Sequence, residues 1–185
     1  MTTSDSDVEK EYILAESHFE PIPFGTKYDG WGHQGDCTLT LSPTEGNPGA
    51  CLKAEDAVTG EVFYYRAPKK FLGDKKTAFR LEYDIKWVAS ARLPIFPWDR
   101  VVEISGSGTV LIYNAATPTR NQWVHSVVMF QPIAGLWKNV TANRPATVSD
   151  FENVLSSLEK LIIRGEFAHG GPETGFLDNV VLYGR

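Results

Sequence analysis

Two cysteines in 185 residues, Cys37 and Cys51, are too few for a disulfide framework, and their spacing is not that of a zinc site. They flank a turn-rich stretch, Ser42 to Gly49, between two expected strands, so a single disulfide and two buried thiols both fit the sequence. No apolar run reaches the roughly 18 residues of a membrane-spanning helix. Basic clusters are scarce too. Lys69, Lys70, Lys75 and Lys76 are broken by Gly73-Asp74, and the net charge is -5. A nucleic-acid backbone is met by a basic face, so that partner is not expected. The opening MTTSDSDVEK has neither the basic nor the apolar region of a secretory leader. Residues 1–10 are expected to be a disordered segment ahead of one domain over 11–185. The expected location is cytoplasmic with Met1 as the native start, and extracellular with a leader removed.

Catalytic signatures are also missing. There is no Gly-x-Ser-x-Gly, no P-loop, no His-Glu-x-x-His and no dinucleotide fingerprint. His18, His33, His125 and His169 stand at unrelated spacings. Glu82, Asp84 and Glu166 supply carboxylates for a hydrolase, but a solvated polar face accounts for them more simply. The expectation is a non-catalytic protein.

What the sequence does contain is short apolar runs separated by turn residues, the pattern of an all-β sandwich or barrel with eight to ten strands. In Phe79–Trp87, FRLEYDIKW, strict alternation puts Phe79, Leu81, Tyr83, Ile85 and Trp87 on one face and Arg80, Glu82, Asp84 and Lys86 on the other. Ser105-Gly106-Ser107-Gly108 reads as a hairpin turn between two short strands. One short helix, near 149–160, is expected from a capping box at Ser149 and Glu152 and from the helical spacing of Phe151, Val154, Leu155, Leu158 and Leu161. It should cover one end of the sandwich. Asn139-Val140-Thr141 is an N-glycosylation acceptor pattern.

Several short blocks occur in one order along the chain: Asp29-Gly30-Trp31, Gly46-Asn47-Pro48-Gly49, Ala67 to Lys75, Leu161 to Phe167, and Gly175 to Val180. Together they resemble the laminin domain IV (laminin B) family. The resemblance implies an antiparallel jelly-roll sandwich akin to the galactose-binding-like folds, many of which bind glycans. Related jelly rolls hold a structural calcium where an N-terminal Phe-Glu meets a C-terminal Asp. By that resemblance Glu20 and Asp178 are the expected metal ligands, since Ca²⁺ takes six to eight oxygens.

The expected function is therefore non-catalytic carbohydrate recognition on a sheet face or loop edge. Its expected residues are Tyr64, Tyr65 and Arg66 on a strand and Trp31, Trp98 and Trp137 in loops, rings for stacking and a guanidinium for hydroxyls. An aromatic residue on a strand is more often core than platform. A structural or protein-interaction domain without a small ligand is the alternative. The oligomeric state is not encoded in any motif.

Overall fold

The computed structural model describes residues 10–20, 27–57, 60–96 and 98–185, with the side chains of Trp98 and Asp99 left aside. The expected disordered segment lies, but for Lys10, outside these residues. Alternation builds the longest strands, as FRLEYDIKW shows. Its five apolar residues are all buried, and of its outward residues only Asp84 is buried with them. Among the described residues there are thirteen strands rather than eight to ten. They are β1 (Tyr12–Ser17), β2 (Gly32–Gln34), β3 (Cys37–Ser42), β4 (Cys51–Asp56), β5 (Tyr64–Arg66), β6 (Ala78–Ala89), β7 (Trp98–Gly106), β8 (Thr109–Ala116), β9 (Val124–Met129), β10 (Trp137–Asn139), β11 (Arg144–Pro145), β12 (Leu158–Arg164) and β13 (Glu173–Gly184). The excess comes from pieces of two or three residues, such as β2, β10 and β11, too short to show a period.

The strands form two antiparallel sheets. The first runs β3-β4-β13-β6-β9, with β1 also on β13. The second runs β11-β10-β8-β7-β12-β5-β2. Neighbours in space are mostly not neighbours in sequence, as in a jelly-roll sandwich. Between the sheets lies one core that includes Phe63, Tyr65, Leu81, Ile104, Leu161 and Leu177. The β7–β8 turn is the expected hairpin. Ser107 and Gly108 both have positive φ, 49° and 73°, the backbone a twisted two-residue hairpin requires. Gly106, just before it, is a true steric requirement. A Cβ there would stand 2.2 Å from the carbonyl oxygen of Ser157.

The helix α1 (Val148–Ser156) begins and ends earlier than the sequence suggests. Its capping box is Thr147 with Asp150, not Ser149 with Glu152: the Thr147 hydroxyl accepts from the Asp150 amide, and the Asp150 carboxylate accepts from the Thr147 amide. Arg144 adds a charged hydrogen bond at 2.6 Å and holds the Asp150 carboxyl far below the usual carboxylate range. Leu158 and Leu161, which continued the helical spacing, belong instead to β12 and pair with β7. Phe151 seats α1 on the sandwich, edge-on to Trp137 with centroids 5.1 Å apart.

Candidate functional site: the outer face of the second sheet

Alternation decides which residues of the second sheet look away from the core. In β5, Tyr65 points inward and Tyr64 and Arg66 outward. In β12, Leu161 and Ile163 point inward and Lys160, Ile162 and Arg164 outward. A bulge between Arg100 and Val102 resets β7, which places Arg100 and Glu103 on the same outward face. The registers then align one residue from each strand into a row across the sheet: Gly32, Arg66, Ile162, Glu103, Ile112, Lys138 and Pro145. At about 4.8 Å per strand, Arg66 and Lys138 stand roughly 19 Å apart.

The middle of the row is wired by charge. The Glu103 carboxylate is only 3% exposed. It accepts from Arg100 Nη1 at 2.8 Å and from Lys160 Nζ. Arg100 also donates to the Tyr64 hydroxyl, from Nη2 at 2.8 Å and Nε at 3.2 Å. A buried carboxylate held between two cations fixes both of them in place. At the β5 end the face runs into a cleft of about 270 Å³ lined by Gly30, Gly32, Arg66, Pro68, Lys69 and Leu72. Arg66 and Lys69 are exposed there.

Of the six expected ligand residues, two stand on this face. Arg66 is exposed, whereas Tyr64 is covered by Arg100, whose guanidinium carbon sits 4.7 Å from the ring centre. Tyr65 is fully buried in the core and is no platform. Trp31 is likewise core, its ring tilted against Phe19 and edge-on to Phe71, with its indole N–H donated to Ser17 at 2.9 Å. Trp137 is 2% exposed, with its N–H on the Met129 carbonyl. These three rings offer solvent no face on which a sugar can stack. Trp98 opens β7, and its side chain lies outside the described residues.

The other sequence expectations resolve elsewhere. Cys37 pairs with Asp56 and Cys51 with Ser42, at opposite ends of one hairpin, about five residues or 17 Å apart. That is far beyond disulfide reach, and both thiols are free. Burial pushes both up to about 12. Asn139 is buried, its amide donating to Asp150 and its carbonyl accepting from Ala142, so it is no open glycosylation acceptor. Glu166 accepts from the Phe63 amide, whereas Glu82 and Asp84 face His125 on the other sheet.

Glu20 and Asp178 do converge on one turn. Glu20 Oε1 accepts from the Ala50 amide at 3.2 Å, and Asp178 Oδ2 from the Asn47 amide at 2.7 Å. Asp178 is wholly buried. Burial and the neighbouring Asp84 push its carboxyl up to about 6, against the amides of Asn47 and Asn179, which hold it down. Oxygen donors and a poorly balanced carboxylate suit a hard cation. Among the described residues no group of three or more His, Cys, Asp or Glu is close enough to hold a metal, so carbonyls of the turn and water would have to complete a shell.

Comparisons agree with this architecture. The model of the family Laminin B (Domain IV) matches residues 64–183, more than half of the chain. The chain belongs to that family. Human laminin subunit alpha-1 is 25% identical over 135 residues, covering 69% of this chain, but the match spans only 4% of the laminin subunit. Mouse laminin subunit alpha-1 is 25% identical over 131 residues, covering 66% of this chain and 4% of that subunit. Among solved structures, the L4b domain of human laminin alpha-2 superposes with a TM-score of 0.59 at 17% identity, covering 72% of this chain and 79% of that one. The family 11 carbohydrate-binding module of a cellulosomal cellulase from Clostridium thermocellum gives 0.56 at 14%, covering 94% and 97%. The CBM22-1 xylan-binding domain from Paenibacillus barcinonensis gives 0.56 at 16%, covering 92% and 93%. At these identities the likeness shows the fold.

Proposed function

We propose that this laminin B-family domain is a non-catalytic carbohydrate-binding module whose ligand lies across the outer face of the second sheet. The observation that supports this most is the cross-strand row from Arg66 to Lys138, with its fixed Arg100–Glu103–Lys160 centre. Sugar hydroxyls need donors and acceptors held at fixed spacing, and a sheet supplies them without an ordering cost at binding. Side chains pinned by ion pairs lose little further freedom. The carbohydrate-binding modules that share the fold are named for glycans, which fits the same reading. A structural calcium held by Glu20 and Asp178 belongs to the proposal as a stabiliser of the 47–50 turn, with no part in chemistry.

The test is a glycan array probed with the purified domain and with an Arg66→Ala/Lys138→Ala variant, both side chains being exposed. Binding by the wild type that drops at least tenfold in a variant of unchanged melting temperature is the expected result. A blank array across neutral and acidic glycans overturns the reading and moves the search to protein partners.

A further inference from the structure

We infer that the ligand is an acidic glycan, one carrying uronate carboxylates or sulfate groups, and that the Arg66–Lys69 cleft takes its anionic group. The inference rests on the carbohydrate reading and narrows it. The chain carries a net charge of -5, yet the proposed face is cationic. Arg66, Arg100, Lys160 and Lys138 stand on it, with Lys69 at its margin. Glu103, its buried carboxylate, is already engaged by Arg100 and Lys160. Among the described residues no carboxylate forms an ion pair with Arg66, Lys69 or Lys138, although most other lysines and arginines of the strands are paired or stacked on rings.

The cleft supplies the rest of a recognition geometry. Arg66 presents a planar fork of donors suited to a carboxylate or sulfate, and Lys69 adds a mobile point charge. Gly32 stands opposite Arg66 in register, and a Cβ there would meet nothing within 4 Å, so the approach along the strand edge is open. Leu72 and Pro68 give the cleft an apolar wall for the C–H edge of a sugar ring. Phe71, between Lys69 and Leu72 in sequence, is buried with its ring edge-on to Trp31, centroids 5.5 Å apart. From the cleft, the row passes the buried Ile162 and the Glu103 centre, with its Arg100 and Lys160 partners, to the exposed Lys138. A neutral polymer would leave Arg66, Lys69 and Lys138 unmatched, whereas an acidic one matches charges at both ends.

Affinity gel electrophoresis tests this with polygalacturonate, chondroitin sulfate and neutral mixed-linked β-glucan as separate probes, at low and at high salt. Retardation by an acidic polymer, falling at least tenfold at high salt and at least tenfold in Arg66→Ala/Lys69→Ala, is expected. The variant should melt as the wild type does, since both side chains are exposed. A Lys53→Ala/Lys86→Ala control on the first sheet should retard normally. Equal, salt-insensitive binding of the neutral glucan overturns the acidic assignment and leaves the carbohydrate reading standing. No retardation by any glycan overturns both. Equal retardation by polyglutamate shows an unspecific polyanion surface and overturns the assignment as well.

Discussion

Glu173 sits at the start of β13 with its carboxylate turned into the protein, 3% exposed, accepting the amides of Phe167 at 2.8 Å and Ala168 at 2.7 Å. Burial outweighs those two donors and, with help from Glu166 and Asp56, pushes the carboxyl up to about 7. Its ordinary value is 4.5. A raised folded value means that the native state holds the proton more tightly than the unfolded chain, so stability falls as the pH rises from about 4.5 to about 7. Allowing for titration of the unfolded carboxyl, the loss between pH 5 and pH 8 is about 2.5 kcal/mol. For a domain of this size that is on the order of 5–10 °C in melting temperature. The raised carboxyl of Asp178 and the raised imidazole of His18 push in the same direction. Asp150 titrates too far below this window to oppose them. The assay is urea unfolding at several pH values, for wild type and Glu173→Gln. The substitution costs stability at pH 5, because an amide has one oxygen and turns its NH2 toward a backbone N–H that a carboxyl oxygen accepts, but it removes the proton from the balance. The wild-type curve should therefore lose about 2.5 kcal/mol more than the variant between pH 5 and pH 8. Parallel curves would refute the reasoning.

Reduction should not matter: the melting temperature in dithiothreitol should equal that in its absence, and Cys37→Ser should leave it insensitive to oxidant, whereas an oxidant-dependent rise would put the two thiols within reach. Chelation should lower the melting temperature of the wild type, with calcium restoring it, and Asp178→Ala should lack that response. An unchanged melt in chelator would retire the metal and leave Glu20 and Asp178 as clamps on backbone amides alone.

Local chemistry carried much of the fold. Alternation in Phe79–Trp87 places Leu81, Tyr83, Ile85 and Trp87 in the core, because a half-buried strand must alternate whatever its neighbours are. The glycines around Ser107 give the hairpin for a similar reason, since its positive φ values are demanded by the turn itself. The helix shows where that logic thins: Leu158 and Leu161 satisfy helical spacing and equally satisfy β12, and only pairing with β7 decides between them. The site was half legible. Tyr64 and Arg66 come from a visible strand, but Tyr64 and Tyr65 are distinguished only by which side faces the other sheet. Glu103 lies inside the apolar run VVEI and Arg100 beside a bulge, so neither advertises itself. Their meeting with Lys160, 57 positions along the chain, depends on a strand order that no local pattern encodes. Trp31 and Trp137 misled for the opposite reason: a tryptophan near turns looks exposed until the ring that covers it is known.

The first sheet uses its outward polar groups differently. Part of its outer face is occupied by the chain itself. The 42–50 turn folds back onto it, tied by Asp178 to the Asn47 amide, by Asp84 to the Asn47 and Asn179 side chains, and by Glu20 to the Ala50 amide. Asn179 holds a left-handed backbone, φ 47°, at a break in the β13–β6 register, and that break turns its amide toward Asp84 and the Asn47 carbonyl. Further along the face, Phe176 lies beneath the ammonium groups of Lys53 and Lys86 and is 3% exposed. Carboxylates, amides and a ring on this side are thus engaged within the chain. On the second sheet the ion pairs lie within the face rather than over it. They fix Arg100 and Lys160 beside Glu103 and leave Arg66, Lys69 and Lys138 facing solvent. The same sandwich therefore ties polar groups of one sheet to its own turn and leaves Arg66 and Lys138 exposed on the other.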